Sequence, residues 1–109
     1  MPSASGATES YFIGVIDASG SMSSWWHRVA KFYNEFAPKQ RCHTICFTDK
    51  TQIVPNNTLS PKIFDHGGGL TNIPKAFLKM EQKIASLPQN AHVTVLFISD
   101  GQDNYLDTL

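Results

Sequence analysis

The clearest pattern in this sequence is a pair of short apolar runs near the two ends of the chain. Residues 11–16 and residues 93–98 are almost continuously hydrophobic, and polar residues follow each run, beginning with Asp17 and Ser99. Runs without polar alternation are typical of strands that are covered on both faces, as in the parallel sheet of an α/β protein. We therefore predict a buried strand at each of these positions.

Two further strands are predicted in the middle of the chain. Residues 42–47 contain mostly apolar and β-branched side chains, residues 48–50 resemble a tight turn, and residues 51–54 continue in extended form until Pro55. Proline lacks the amide donor that a central strand needs, but it is tolerated at a sheet edge. We expect these two strands to form an antiparallel hairpin at an edge of the sheet.

Two helical patterns lie between the predicted strands. The first repeats apolar residues with the spacing of one helix face and stops at Ala37, because Pro38 disfavours helical geometry before it. The second is capped by Thr71 or Asn72 and is followed by Pro88. The predicted core-facing residues are Trp25, Val29, Phe32 and Phe36 in the first helix, and Ile73, Ala76, Phe77, Met80, Ile84 and Leu87 in the second.

The composition is that of one ordinary globular domain. The chain has 109 residues, of which 41% are hydrophobic, and nine Lys and Arg side chains balance nine Asp and Glu. Because no basic patch stands out, we expect neither nucleic acid nor an anionic membrane surface as a partner. The longest apolar runs are much too short for a transmembrane helix, so no membrane span is expected.

The cysteines and the N-terminal residues bear on the cellular compartment. Cys42 and Cys46 share a predicted strand, where about 13 Å would separate them, too far for a disulfide bond. Residues 1–10 lack the basic start and the apolar stretch of a signal peptide. We expect a flexible leader over residues 1–10, a domain over residues 11–109, and a cytoplasmic location.

Oxygen-bearing side chains cluster after the strands that are predicted to be central. Asp17, Ser19 and Ser21 follow the first strand, Asp100 follows the last, and Thr71 ends a glycine-rich loop before the second helix. In open α/β sheets, ligands bind at the carboxyl ends of the strands. All five side chains offer oxygen, which favours Mg²⁺, Mn²⁺ or Ca²⁺ over zinc or copper.

These motifs resemble those of a known family. Asp-x-Ser-x-Ser at residues 17–21, Gly-Gly-x-Thr ending at Thr71, and Ser-Asp-Gly at residues 99–101 are similar to the metal-ion-dependent adhesion site of von Willebrand factor type A (vWA) domains. The resemblance extends from Tyr11 to Asn104 and keeps the family's order of elements. It implies a Rossmann-like α/β fold with a mostly parallel sheet and an antiparallel edge hairpin.

The resemblance also implies how the metal is held and used. Ser19, Ser21 and Thr71 would bind Mg²⁺ or Mn²⁺ through their hydroxyls, while Asp17 and Asp100 would act through bound water or as anchors. Neutral ligands leave part of the ion's charge uncompensated, so the ion still attracts an acidic side chain from outside. The resemblance therefore predicts a protein-binding module that captures a partner's Glu or Asp, and not an enzyme.

The number of predicted strands departs from the family and leaves alternatives open. The resemblance to type A domains implies a doubly wound sheet of about six strands. Four strands are predicted here, so the fold is expected to be truncated after the fourth strand. One alternative is that the chain is a fragment or scaffold without binding activity of its own; the others are that a partner chain completes the fold or that the chain is a reduced variant of it. The chain would also be able to pair with itself or with a completing chain at residues 93–98, because unpaired apolar edges invite association.

A metal-dependent hydrolase is a less well supported alternative. A phosphatase that uses a strand-end Asp as its nucleophile would have a second acid at the position of Ser19. Neither a Gly-x-Ser-x-Gly elbow nor a Gly-Lys-Ser/Thr phosphate loop occurs in the chain. The four histidines lack the spacing of zinc ligands and are expected at the surface or in the core: His27, His43, His66 and His92.

Residues near the predicted metal loops are candidates for contact with a partner. Leu70 precedes Thr71, and Gln102 and Asp103 follow the last metal motif. Asp103 would either add a negative charge near the ion or simply lie in an exposed loop. Trp26 lies about 100° around the helix from the predicted core face. It is therefore expected either on a half-buried flank of the helix or at the rim of the site, in contact with a partner.

Overall fold

The computed structural model describes residues 9–101, which form a four-stranded sheet with one helix packed on each face. The predicted α/β order of elements is confirmed. Short 3₁₀ turns at Gly20–Met22, Pro55–Asn57 and Ile63–His66 lie in the connections. The strands and α-helices, in chain order, are β1 (Ser10–Asp17), α1 (Ser23–Phe36), β2 (Cys42–Phe47), β3 (Thr51–Ile53), α2 (Ile73–Ala85) and β4 (His92–Ile98).

The sheet is mixed, and its strand order is β3-β2-β1-β4. Strand β1 is central and pairs in parallel with both neighbours, so that Ile13 lies between His43 and Val95. Strand β3 is antiparallel to β2, with Ile53 opposite Ile45, which confirms the predicted edge hairpin. Because β1, β2 and β4 run in the same direction, the loops that follow them meet at one edge of the sheet.

Strand β1 is buried on both faces because a helix covers each face. Phe12 and Ile16 pack toward α1, whereas Ile13 and Val15 pack toward Ala76 of α2. This double cover is the physical reason that the first apolar run shows no polar alternation. Burial of the central strand fixes the position of Asp17 and of the loop that follows it.

The predicted core face of α1 is wrong for three of its four residues, while the fourth, Val29, is half-buried and packs against the core. Trp25, Phe32 and Phe36 are about half exposed, and the buried residues are their neighbours Trp26, Ala30 and Tyr33, as the relative exposures show: Trp25 51%, Phe32 51%, Phe36 55%, Trp26 2%, Ala30 4% and Tyr33 0%. Both sets follow the same helical spacing, so periodicity alone favours neither. Which of the two sets is buried depends on how the size and chemistry of the side chains fit against the sheet.

Packing between α1 and the sheet depends on a tyrosine beside a glycine. The Tyr33 hydroxyl forms a hydrogen bond with Thr44 Oγ1 (2.5 Å), and a Cβ atom added at Gly14 would collide with the Tyr33 ring. Burial raises the pKa of Tyr33 well above its ordinary value. Because only glycine at position 14 leaves room for this ring, the face of α1 that carries Tyr33 turns toward the sheet.

The second helix matches its predicted cap and part of its predicted core face. Asn72 Oδ1 accepts a hydrogen bond from the Lys75 amide (3.0 Å), which is the expected N-cap interaction. Of the predicted core residues, Ala76 is fully buried, while Phe77 is 45% exposed and stacks on Phe97 of β4. Among the described residues, no helix has the length and apolar character needed to cross a bilayer.

Strand β4 is less covered than its apolar sequence predicts. Its residues are half-buried or exposed, and Val95 keeps 38% of its surface accessible. Within residues 9–101, β4 pairs with β1 on one side only, so its other edge carries unpaired backbone groups. The prediction that both apolar runs form buried strands is therefore correct for β1 and wrong for β4.

Candidate functional site

Asp17 connects two of the three loops at the carboxyl edge of the sheet. Its side chain is fully buried, and Oδ1 accepts a hydrogen bond from the Ser19 amide (2.9 Å). Its Oδ2 accepts a second hydrogen bond from Ser99 Oγ (2.7 Å), which lies just after β4. Both carboxylate oxygens thus face hydrogen-bond donors of the protein, an arrangement that positions the loops on either side of β1.

Ser19 and Ser21 bring two hydroxyl oxygens close together beside Asp17. Their Oγ atoms are 3.1 Å apart, with Ser19 fully buried and Ser21 half-buried. The 3₁₀ turn at Gly20–Met22 returns the chain to the same side after one residue, and the Met22 amide donates to the Ser19 carbonyl (3.0 Å). This turn explains why an Asp-x-Ser-x-Ser sequence places both hydroxyls on one side of the loop.

The glycine loop packs directly against the Ser19–Ser21 loop through its backbone. The Gly68 amide donates to the Ala18 carbonyl (2.7 Å), and the Gly20 amide donates to the Gly69 carbonyl (2.8 Å). Gly68 has a φ of 81°, and the ring of Phe64 would lie 2.5 Å from a Cβ atom at that position. A glycine at this position is therefore required both by the backbone conformation and by the covering ring.

Thr71 and Asp100 lie on loops that the same network holds. Thr71 is 3% exposed, and the next residue, Asn72, donates its amide to the Thr48 carbonyl at the end of β2 (2.8 Å). Asp100 is exposed and follows Ser99, the partner of Asp17. The structure therefore brings together the loops of all five predicted metal residues, with direct contacts among Asp17, Ser19 and Ser21.

The rim of this edge differs from the sequence prediction. The structure corrects the prediction that Trp26 lies on a half-buried flank or at the rim. This residue is 2% exposed and its Nε1 donates to the Ser60 carbonyl (2.8 Å), so it lies in the core and not on the rim. Leu70 is 52% exposed, as a contact residue should be. Gln102 and Asp103, the other predicted contact residues, lie outside the described residues.

The structure places two exposed aromatic residues at this edge: one that the sequence did not single out, and one that was predicted to face the core. Phe64 covers Gly68 and is 78% exposed, and Trp25 is 51% exposed. Trp25 and Val29 also line an open cavity of about 310 Å³ between α1 and β4, which ends at Asp100. Nothing in the periodicity of residues 55–66 indicated Phe64, because this segment has no regular helix or strand.

The donor set at this edge consists of hydroxyls and carboxylates. Within residues 9–101, no group of three or more His, Cys, Asp or Glu side chains lies close enough to hold a metal ion. The predicted site is of a different kind, since it contains two carboxylates and three hydroxyl groups. Such a set suits a hard cation that keeps several water ligands, and it does not suit zinc.

Comparison of the sequence with protein-family models finds no match, and neither does comparison with curated proteins. The resemblance to type A domains therefore rests on the motifs, and the function has to be argued from the geometry of this edge.

Proposed function

We propose that this domain is a divalent-metal-dependent protein-binding module of the vWA type, which captures an acidic side chain of a partner through a bound Mg²⁺ or Mn²⁺ ion. Ser19, Ser21 and Thr71 would hold the ion through hydroxyl groups, and Asp17 and Asp100 would balance its charge. When bound, the ion supplies a positive charge that a partner carboxylate can approach. The proposal includes no chemical step.

The burial of the Asp17 carboxyl group is the observation that carries the proposal. Its carboxylate is fully buried, and its two hydrogen-bond donors, the Ser19 amide and the Ser99 hydroxyl, are both neutral. Among the residues that the structure describes, no lysine or arginine forms an ion pair with it. A buried carboxylate without a cation is costly, so a metal ion at the adjacent hydroxyls would stabilise the folded domain.

The spacing of the two serine hydroxyls also supports a small cation. Neighbouring ligands of an octahedral ion with bonds of 2.0–2.1 Å lie about 2.9 Å apart. The observed separation of Ser19 Oγ and Ser21 Oγ is 3.1 Å. The existing arrangement thus needs little adjustment to accept a small divalent cation such as Mg²⁺ or Mn²⁺.

The surface around the hydroxyls supports a protein as the partner. Leu70, Phe64 and Trp25 all expose half or more of their surface near this edge. Exposed apolar side chains around a polar centre are typical of interaction sites. In this proposal the metal binds the acidic group of the partner, and the exposed apolar side chains contact the partner residues around that group and so determine specificity.

A titration with Mn²⁺ tests the metal site directly. In Asp17→Asn, the amide can still accept from the Ser19 amide and donate to Ser99 Oγ, so the loops keep their contacts while the charge is lost. We expect this variant and Ser21→Ala to bind Mn²⁺ at least about tenfold more weakly than wild type, by ~1.4 kcal/mol. Ser24→Ala, on the exposed side of α1, is the matched control. Equal binding by wild type and Asp17→Asn would contradict the proposal.

A peptide-binding experiment tests the captured group. A partner peptide should lose binding when its key Glu or Asp is replaced by Gln or Asn, and equally when EDTA is added. If binding survives both treatments, the partner uses another surface and the metal has a structural role.

A further inference from the structure

One connection between α1 and the glycine loop runs through the residues that precede Gly67. We call residues 59–66 the connecting segment; its first end is attached to Asn34, whose side chain exchanges two hydrogen bonds with the Leu59 backbone (2.7 and 2.9 Å). Its second end runs into Gly67 and Gly68, and the Gly68 amide binds the Ala18 carbonyl. The segment is therefore bonded to α1 at one end and continues at the other end into the loop that precedes Thr71.

Ser60 is the centre of the hydrogen bonds that hold the connecting segment. Its amide donates to His66 Nε2 (2.8 Å), its carbonyl accepts from Trp26 Nε1 (2.8 Å), and its hydroxyl donates to Asp65 Oδ2 (2.5 Å). The first of these bonds needs an unprotonated Nε2 atom on His66. One of the bonds that hold the segment thus depends on the protonation state of the His66 imidazole.

The His66 side chain is enclosed in a way that disfavours its charged form. The residue is 7% exposed, and its ring centroid lies 5.7 Å from that of Trp26. With Nε2 as the acceptor, the proton of the neutral ring is on Nδ1, which is buried and has no hydrogen-bond partner among the described residues. A second proton would place an N–H group against the Ser60 amide, so that two donors would face each other.

We propose that His66 is a pH-dependent switch: protonation of its Nε2 breaks the bond to the Ser60 amide and releases the connecting segment, which loosens the glycine loop. The loss of the Ser60–His66 bond follows from the hydrogen-bond geometry alone. Its effect on ion and partner binding rests on the function proposed above.

The charges around His66 determine the direction of the effect. Burial lowers the pKa of His66, and the negative charge of Asp65 opposes this shift; the group that faces it from α1 is the neutral indole of Trp26. Because the folded-state pKa lies below the ordinary value of 6.5, the unfolded chain binds more protons than the folded chain in this range. The stabilisation is therefore complete above about pH 6.5 and is lost as the pH falls through the folded-state pKa.

NMR of the full chain in the presence of EDTA tests the switch without any bound metal. Between pH 7.5 and 5, we expect the His66 ring and the Ser60 amide to titrate with one midpoint. Below it, the exchange protection factor of the Ser60 amide should fall about tenfold per pH unit, as expected for one linked proton. A Ser60 amide that stays protected at pH 5 while the His66 ring is protonated would overturn the proposal.

Variants separate the switch from general acid destabilisation. His66→Gln keeps an acceptor oxygen near the Nε2 position but cannot gain a proton, so the Ser60 amide should stay protected down to pH 5. The matched control is His43→Gln, because burial also lowers the pKa of His43, which stacks on Tyr11 at the sheet. This control should keep the wild-type profile at Ser60, and a wild-type profile in His66→Gln would refute the assignment. Since no metal is present, neither result depends on the Mn²⁺ titration.

Discussion

Replacing the two adjacent tryptophans one at a time tests which face of α1 packs on the sheet. Trp26 is buried and hydrogen-bonded to the Ser60 carbonyl, whereas Trp25 is 51% exposed. Both residues are tryptophans and both lie on α1, so the comparison isolates the effect of burial on the free energy of unfolding. We expect Trp26→Ala to destabilise the domain far more than Trp25→Ala.

The magnitudes follow from the areas involved. A fully buried tryptophan removes about 200 Å² from water, which corresponds to about 5 kcal/mol at 25 cal/mol per Å². Losing the indole N–H also leaves the Ser60 carbonyl without its donor, at a cost of about 1–3 kcal/mol. For Trp25 the same calculation gives at most about 2.5 kcal/mol, because half of its surface stays exposed. The difference between the two variants should therefore exceed ~3 kcal/mol, a large part of the stability of a small domain.

Urea denaturation measures the two free energies of unfolding, and fluorescence tests the same assignment in the folded state. The chain has two tryptophans, so Trp25→Phe leaves Trp26 as the single emitter, and Trp26→Phe leaves Trp25. Acrylamide should quench the Trp26 emission less than the Trp25 emission. Equal destabilisation by the two alanine variants, or faster quenching of Trp26, would refute the described packing of α1.

Three further outcomes are expected. Gly14→Ala should lower the free energy of unfolding by about 1–3 kcal/mol or more through its collision with Tyr33, and adding Tyr33→Phe should recover part of the loss in a double-mutant cycle. Cys46 should resist thiol reagents in the native state and react in urea, because burial raises its pKa to about 12; mass spectrometry of the labelled chain measures this, and rapid native labelling would contradict its burial. We also propose that the chain associates with a second copy through the edge of β4 that is unpaired within residues 9–101. Sedimentation should then show dimers or larger species that Val95→Lys reduces, and an unchanged monomer at high concentration would exclude this.

The sequence predicts the central sheet well because its signal is strong and local. The run ending at Asp17 is covered on both faces, and Pro55 marks the edge hairpin. The loops of the predicted metal residues also meet as expected, since parallel strands bring their carboxyl ends to one edge. These conclusions need only the order of the elements.

The face of α1 and the connecting segment required tertiary information. Residues 25, 29, 32 and 36 and residues 26, 30, 33 and 37 have identical spacing, so the hydrophobic pattern fits both faces. The structure selects the second set because Gly14 leaves space for Tyr33, which no local pattern shows. His66 was expected in an ordinary surface or core role because its partner, the Ser60 amide, is a backbone group and leaves no sequence signal.

The bond between Ser99 and Asp17 has a consequence for how the domain folds. It joins residues 82 positions apart, and β1 gains its second neighbour only when β4 docks. Parallel pairing of such distant segments is entropically slow, because a long stretch of chain must be ordered before the contact forms. We therefore expect the loops on either side of β1 to be joined late in folding, and partly folded chains to lack the complete cluster. Formation of this bond is thus a reporter of the finished sheet.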